Sequence, residues 1–169
     1  MERTIKVLNQ MVKDGVVPRY AIGGAVGAFF YIEPVDTHDI DVYVDFPKDQ
    51  VIVTLNPIYD YLKAKGYRTK DVWIIIEGNP VQFLPAADPL SEEAVSRAAK
   101  KKYGKATARV FSPEHVVAMS VALARPDKDI PRIAQFVEEG KFNQKKLADI
   151  LKRHGLFQKW KAILRRLDV

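Results

Sequence analysis

The spacing of apolar residues divides the chain near residue 111. Before this point, segments with apolar residues every three or four positions, typical of helices, are interspersed with short segments typical of strands. After it, only helical spacing occurs, and it begins at the helix-start signal Ser112-Pro113-Glu114. The pattern predicts an α+β protein in which residues 1–111 form helices around a sheet and residues 112–169 form a helical bundle.

The clearest predicted strand covers residues 39–46. Apolar residues at positions 40, 42 and 44 alternate with a polar face that contains Asp39 and Asp41. Asn56 is predicted as the N-cap of a helix, and Gly78-Asn79 as a hairpin turn. The other predicted elements of this part are helices over residues 3–14, 25–32, 57–65 and 91–100, and strands over residues 19–22, 72–77, 80–84 and 107–111.

Four helices are predicted after residue 111. The first covers residues 113–124, and Asp127 is predicted to cap the second. Asn143 is predicted to cap the third, which ends near Gly155, and an apolar stripe that begins at Phe157 indicates the fourth.

Composition narrows the possible functions only a little. The chain has 169 residues, no cysteine and a formal net charge of +6. The lack of cysteine excludes disulfide bonds, thiolate metal sites and a cysteine nucleophile. The longest apolar run, residues 20–32, is too short to span a bilayer, and the N-terminus does not resemble a signal peptide. We therefore expect a soluble, cytoplasmic protein without a membrane partner. Its charge fits an anionic partner or merely a soluble surface.

Gly23-Gly24 joins the first predicted strand to the apolar helix predicted over residues 25–32. Because glycine has no Cβ, the backbone can turn sharply there and a phosphate can come close. The N–H groups at the start of the next helix would favour an anion. For an isolated Gly-Gly pair, a tight turn that lets the helix pack on the sheet is the simpler explanation.

Asp39 and Asp41 flank Ile40, so both carboxylates project from one face, about 7 Å apart along the strand. Oxygen ligands suit Mg²⁺, which keeps several waters and accepts substrate phosphates as further ligands. Two aspartates on a solvated strand edge would give the same pattern. Burying two unpaired carboxylates would be costly, so this face is expected to be either wet or bound to a metal.

Together, the two features resemble the motif of the DNA polymerase β-like nucleotidyltransferase superfamily. The motif in this chain is Tyr20-Ala-Ile-Gly-Gly-Ala-Val-Gly, followed by Thr37-His-Asp-Ile-Asp-Val-Tyr-Val-Asp. Later segments, among them Val81-Gln-Phe-Leu-Pro-Ala and Ser112-Pro-Glu-His-Val-Val-Ala-Met, extend the similarity over nearly the whole chain. These segments resemble minimal bacterial and archaeal members related to the AbiEii toxins of type IV toxin–antitoxin systems.

The resemblance implies a nucleotidyltransferase fold, with a small mixed sheet flanked by helices and a C-terminal helical bundle. It implies a core over residues 1–111 and a helical subdomain over residues 112–169. Gly23 and Gly24 would hold the triphosphate of an NTP. Asp39 and Asp41 would be the catalytic residues and would ligate the metal, Mg²⁺ or Mn²⁺.

One position departs from the superfamily pattern. A third carboxylate on a neighbouring strand is replaced here by Gln82, and glutamine cannot act as a general base. Glu77 or Asp88 could reach the metal instead, or transfer could proceed without a protein base. Lys128 and Asp129 match a Lys-Asp pair of the family. We expect Gln82 and Lys128 to contact the nucleotide, although a role at a helix start suits Lys128 equally well.

Several other residues have two interpretations. Two basic clusters could guide RNA, for example the acceptor end of a tRNA, or could be solvated faces. Tyr43 could stack on a base or pack across strands. Trp73 and Trp160 are predicted to lie in the core. The clusters are Lys100-Lys101-Lys102 with Lys105, and Lys159, Lys161, Arg165 and Arg166.

The first hypothesis is therefore a metal-dependent enzyme that transfers a nucleoside monophosphate from an NTP to a hydroxyl of an unknown acceptor, RNA or protein. The first alternative is a weakly active or inactive module that binds nucleotide or RNA in the same cleft. The second alternative is a toxin-like component that an antitoxin partner neutralises.

Overall fold

The computed structural model describes residues 1–46 and 54–168. The helices are α1 (Glu2–Lys13), α2 (Gly24–Ala28), α3 (Asn56–Ala64), α4 (Pro89–Ser96), α5 (Pro113–Leu123), α6 (Asp129–Glu139), α7 (Gln144–Arg153) and α8 (Phe157–Arg166). The strands are β1 (Tyr20–Ile22), β2 (Ile40–Val44), β3 (Arg68–Lys70), β4 (Trp73–Ile76), β5 (Asn79–Pro85), β6 (Ala99–Tyr103) and β7 (Ala106–Val110). Among these residues, no helix has the length and apolar character that a membrane crossing needs.

The strands of the described residues form one mixed, seven-stranded sheet in the order β3-β4-β5-β2-β1-β7-β6. The central strand β2 pairs antiparallel with β1 and parallel with β5. Its register with β5 places Asp41 beside Gln82. Helices α5 to α8 follow the last strand, so the α+β prediction is confirmed, whereas the division into two domains at residue 111 stays a prediction.

The two faces of β2 meet different helices. Ile40, Val42 and Val44 are buried in a core shared with α1 and α3. Asp39, Asp41 and Tyr43 therefore project from the opposite face, where α2 and the C-terminal helices pack. The strict alternation of the sequence predicted this division correctly, and it fixes the direction of both carboxylates.

Two predictions about local structure are wrong, and one strand was missed. The predicted helix 91–100 ends at Ser96, and Ala99–Tyr103 is instead β6, an edge strand paired with β7. The three lysines of this segment give no apolar alternation that would indicate a strand. An edge strand can carry them because one of its sides stays in water. The apolar segment predicted as a helix over residues 25–32 is helical only to Ala28. Strand β3 was not predicted, since all of its residues are exposed.

The predicted helix caps gave mixed results. The Asn143 side chain accepts a hydrogen bond from the backbone N–H of Lys146, as expected. Asn56 instead belongs to the first turn of α3, where Leu55 is the N-cap. Asp127 does not cap α6, whose N-cap is Lys128 and has no side-chain hydrogen bond.

A charged cluster joins α4 to the C-terminal helices. The Glu93 carboxylate accepts hydrogen bonds from Arg153 Nη1 and Nη2 at 2.6 and 2.8 Å. His154 Nε2 lies 2.8 Å from the same carboxylate, and His115 Nε2 lies 3.4 Å from it. The Arg153 hydrogen bonds hold the pKa of Glu93 far below its ordinary value. The cluster therefore joins α7 to α4 and α5.

The substitution Glu93→Gln should lower the free energy of unfolding by about 2 kcal/mol near neutral pH. The pKa of Glu93 is depressed in the folded state, so its contribution is complete above the ordinary value of 4.5 and is lost as the pH falls further. Urea denaturation at about pH 7 and about pH 3.5 should show the difference between wild type and variant shrinking in acid.

Asp149→Asn is the matched control for this substitution. Asp149 also binds Arg153, but its side chain is 66% exposed, against 13% for Glu93. Its loss should cost less than about 0.5 kcal/mol. An equal cost for both variants, or a Glu93→Gln effect that does not change with pH, would contradict the role assigned to Glu93.

Candidate active site

A cleft of about 510 Å³ opens on the polar face of β2. One wall consists of α2 and the loop over residues 33–38, and the facing wall consists of the start of α6 and the residues before it. The floor contains Asp39, Asp41 and Gln82. Trp73 closes the side formed by the β4–β5 hairpin.

The cleft brings together four of the six residues that the sequence assigned to a site. Asp39, Asp41, Gln82 and Lys128 all line it. Asp41 and Gln82 are neighbours across β2 and β5, as the alignment of Gln82 with the third carboxylate position requires. The structure thus collects these side chains in one place, while their chemical roles stay predictions.

Burial, and next the negative charge of Asp39, raise the pKa of Asp41. Arg125, Arg132 and Lys128 act in the opposite direction, because their positive charges stabilise the ionised carboxylate. None of these three cations forms a hydrogen bond with Asp41 within the described residues. Two neighbouring carboxylates that repel each other in a partly buried site would be stabilised by a bound cation.

Gly24 makes room for Asp41. Its φ is +58°, and a Cβ at this position would lie 3.0 Å from Asp41 Cγ and closer still to Oδ2. The carboxylate of Asp41 therefore packs directly over the glycine backbone. A side chain at residue 24 would displace the carboxylate and strain the backbone at once.

Gly23 is tightly packed as well. Its N–H donates to the carbonyl oxygen of Asp41 at 3.0 Å, so this N–H extends the pairing of β1 with β2. A Cβ at Gly23 would come within 2.9 Å of both Tyr43 and Phe111. The structural reason for the Gly-Gly pair is therefore close packing, and the predicted contact with a triphosphate stays a prediction.

Positive charge gathers on the wall opposite the two aspartates. Asp129 is fully buried and accepts hydrogen bonds from Arg125 Nε at 2.7 Å and from Arg132 Nη1 at 3.1 Å. Lys128 is exposed at the rim of the same wall. Arg132 Nε is buried without a hydrogen-bond partner among the described residues. The wall thus presents cationic groups that an anion in the cleft could use.

Glu77 and Asp88, the two possible replacements for a third carboxylate, are engaged elsewhere. Glu77 lies in the turn of the β4–β5 hairpin and accepts a hydrogen bond from the Tyr67 hydroxyl at 2.8 Å. Asp88 caps α4 by accepting hydrogen bonds from the backbone N–H groups of Leu90 and Ser91. Neither Glu77 nor Asp88 therefore replaces the third carboxylate at the position beside Asp41 that Gln82 occupies.

The structure corrects the interpretation of two aromatic residues. Trp73 is only partly buried and lines the cleft, where its Nε1 donates a hydrogen bond to Asp39 Oδ2 at 3.1 Å. The prediction that it lies in the core is wrong. Tyr43 packs against Phe111 at a ring-centroid distance of 4.8 Å. Of the two interpretations given to Tyr43, this contact agrees with packing inside the protein. Burial raises the pKa of Tyr43 to about 12.

Arg125 and Arg132 were not identified from the sequence as site residues. Arg125 comes just after α5, and Arg132 lies in the first turns of α6. A local signal existed, because Arg125, Lys128 and Arg132 are spaced so that a helix start brings them together. Only the packing of α6 against α5, which brings these residues to the lining of the cleft, distinguishes this group from the other basic clusters of the chain.

The donor set of the cleft fits Mg²⁺ or Mn²⁺. Two carboxylates and the amide oxygen of Gln82 are hard ligands, and Mg²⁺ commonly binds one or two carboxylates together with substrate phosphates. The described residues contain no group of three or more acidic, histidine or cysteine side chains that could hold a metal unaided. The two aspartates would therefore hold a cation together with a phosphate-bearing ligand.

The comparison with known proteins rests on structure. No family model and no curated protein matches the sequence. An antigenic nucleotidyltransferase-like protein from Paracoccidioides brasiliensis matches with a TM-score of 0.57 and 18% identity, over 95% of this chain and 93% of that one. The antibiotic-resistance factor ANT(2'')-Ia matches with a TM-score of 0.52 and 15% identity, over 98% of this chain and 95% of that one. The chain thus has a mixed α+β architecture that matches nucleotidyltransferase-like folds.

Proposed function

We propose that the protein transfers a nucleoside monophosphate from an NTP to a hydroxyl of an acceptor molecule, with Mg²⁺ or Mn²⁺ held by Asp39 and Asp41. The observation that carries the proposal is that two carboxylates and three cationic side chains line one cleft of this fold. The two aspartates lie on the floor, and Arg125, Lys128 and Arg132 lie across from them. Anionic phosphates bound to a cation at the aspartates would meet positive charge on the other side.

Each group of the cleft has a definite part in this proposal. The divalent cation would supply charge neutralisation at the phosphates. Asp39 and Asp41 bind it, and Lys128 with the two arginines stabilises negative charge on the triphosphate. Gln82 donates or accepts a hydrogen bond at the nucleotide but moves no proton. Gly24 keeps Asp41 in place, and with Gly23 it forms the turn beside which the triphosphate binds.

A direct test is incubation of the purified protein with each labelled NTP, Mg²⁺ or Mn²⁺, and total cellular RNA and protein. We expect the label to be transferred to one class of acceptor, with release of pyrophosphate. RNA, such as tRNA, and protein are the acceptor classes we propose. Failure to label either class with any NTP, combined with the absence of NTP binding, would contradict the proposal.

Gln82 favours a second candidate function, the binding of nucleotide or RNA without turnover. The third carboxylate is missing from the floor, and neither Glu77 nor Asp88 replaces it. Calorimetric binding of an NTP without any pyrophosphate release over a long incubation would favour this candidate. A toxin-like component with an antitoxin partner is compatible with either function, and co-purification with the product of a neighbouring gene would support it.

The substitution Lys128→Ala should raise the KM for the NTP by roughly tenfold and leave kcat nearly unchanged. Lys128 is exposed at the rim of the cleft, so its removal costs a charge contact and little stability. Steady-state kinetics at saturating metal would measure the effect. Lys146→Ala on α7 is the control, since Lys146 is equally exposed and lies outside the cleft lining. Equal KM values for both variants would contradict the contact.

A further inference from the structure

Trp73 continues, at the side of the cleft, the row of side chains that begins on its floor. Strand β5 lies between β4 and β2, and Asp41 is paired with Gln82. Continuing the register of Ile74 with Val81 by one residue places Trp73 beside Gln82. Ile74 is fully buried on the other face of the sheet, so Trp73 projects into the cleft. Three neighbouring strands thus contribute Trp73, Gln82 and Asp41 to one polar surface.

The indole of Trp73 contacts one of the two aspartates directly. Its Nε1 donates to Asp39 Oδ2 at 3.1 Å, although the residues are 34 positions apart in the sequence. The indole N–H is a donor only and carries no charge, so it fixes one carboxylate oxygen without neutralising the group. Among the described residues the other oxygen, Oδ1, accepts no hydrogen bond, so it can take a further ligand.

Asp39 needs such a partner because of its neighbour. The two carboxylates are two residues apart and project from one face of the strand, so their like charges repel each other. Asp39 is only partly buried, so without an anchor its side chain could turn toward water and away from Asp41. Hydrogen bonds from surrounding groups commonly orient carboxylates that bind metals, and their loss weakens metal affinity.

We propose that Trp73 is a positioning residue whose indole N–H holds Oδ2 of Asp39, so that the Asp39 carboxylate stays turned toward Asp41, where the two would bind a divalent cation. This inference rests on the proposed function, because it presumes that the two aspartates bind a metal. Trp73 thus affects the affinity for the metal through Asp39, and it does not need to contact the nucleotide. The aromatic ring additionally forms the side wall of the cleft.

The substitution Trp73→Phe separates the role of the indole N–H as a hydrogen-bond donor from the role of the ring as a wall of the cleft. Phenylalanine keeps an aromatic wall but has no N–H donor. The variant should bind Mn²⁺ roughly ten- to hundredfold more weakly than the wild type, measured from the EPR signal of free Mn²⁺. Activity should recover at high Mn²⁺, because kcat at saturating metal depends little on an orienting group. A purely structural role would lower the folded fraction and would not shift the Mn²⁺ affinity of folded protein.

Trp160→Phe is the matched control. Trp160 packs against Phe142 in the C-terminal helices, with the rings at right angles and 6.4 Å apart, and it does not line the cleft. Its removal should leave Mn²⁺ affinity unchanged. Circular dichroism and thermal unfolding of both variants would establish that each is folded.

The control also provides an optical probe. The chain has two tryptophans, so Trp73 is the sole tryptophan of the Trp160→Phe variant. Paramagnetic Mn²⁺ at the aspartates should quench its fluorescence with the same midpoint as the EPR titration. Adding Asp39→Asn to this variant should remove most of the quenching, and the Trp160 emission of Trp73→Phe should not respond.

The outcomes distinguish this inference from the proposed function. Wild-type protein that binds no Mn²⁺ would overturn the metal site, and the positioning role would fall with it. Wild-type protein that binds Mn²⁺ while folded Trp73→Phe binds it within about twofold as tightly would overturn only the positioning role. Weaker binding by Trp73→Phe, with unchanged binding by Trp160→Phe, would support both.

Discussion

Replacing Asp41 with asparagine should lower nucleotidyl transfer by roughly a thousandfold while leaving the protein at least as stable as the wild type. Asparagine has nearly the same shape but binds a divalent cation poorly. The Asp41 carboxylate is packed over Gly24 and borders Asp39, so the folded state carries an electrostatic cost that the neutral amide removes. Loss of activity would therefore accompany a gain in stability, which a residue with a structural role would not produce.

The stability effect has a defined pH dependence. The pKa of Asp41 is raised in the folded protein, so its ionised form costs stability at pH values above the folded pKa. The cost disappears as the pH falls below the ordinary value of 3.8. Thermal unfolding in EDTA, which removes any divalent ion, should show Asp41→Asn more stable than wild type near neutral pH, with the difference narrowing in acid.

Asp45→Asn is the control for Asp41→Asn. Asp45 comes just after the same strand and forms an ion pair with Arg19, away from the cleft lining. Its substitution should leave transfer unchanged and cost at most about 1 kcal/mol. Transfer by Asp41→Asn within tenfold of the wild-type rate would exclude Asp41 from the chemistry.

The substitution Gly24→Ala should reduce transfer at least about a hundredfold, because a shift of roughly 1 Å in a catalytic group has that effect. The added Cβ would overlap the Asp41 carboxylate and force it out of position. Residue 24 also has φ +58°, where an L-residue other than glycine costs about 1–2 kcal/mol. Activity and stability should therefore both decrease, and Mn²⁺ affinity should fall with the activity.

Gly15→Ala separates backbone strain from displacement of Asp41. Gly15 has φ +73°, but a Cβ there would meet nothing within 4 Å. This variant should lose about 1–2 kcal/mol of stability and keep its full activity. If Gly24→Ala matched Gly15→Ala in activity, the close contact with Asp41 would have no functional consequence. If NTP affinity without metal fell only in Gly24→Ala, that would support the predicted contact with the triphosphate.

Local sequence patterns were sufficient for the two aspartates on the floor of the cleft. Alternation along residues 39–46 placed Asp39 and Asp41 on one face, because side chains in a strand point to opposite sides in turn. Gln82 was predicted from the family resemblance rather than from a local pattern, and the parallel pairing of β2 with β5 places it beside Asp41. Gly-Gly was recognised as a turn between strand and helix, although its close packing against Asp41 and Tyr43 was not foreseen.

Local patterns failed where segments carried no apolar signal. Strand β3 is exposed throughout, and β6 is a lysine-rich edge strand that depends on pairing with β7. Both strands exist because the other strand of a hairpin offers backbone hydrogen bonds, and no periodicity within the segments reflects that. The basic cluster Lys100-Lys101-Lys102 accordingly lies on a sheet edge, where Lys101 Nζ contacts the Tyr31 ring at 4.5 Å from its centroid.

By itself, the sequence determined which residues form the central strand and which of its faces carries the carboxylates, since both follow from spacing along one short segment. Only the tertiary structure decided what surrounds them. Trp73 reaches Asp39 across the one intervening strand, β5, and the start of α6 brings Arg132 and Lys128 to the lining of the same cleft. These contacts join residues that are far apart in the chain, so they depend on how the sheet and the C-terminal helices pack, which no local pattern records.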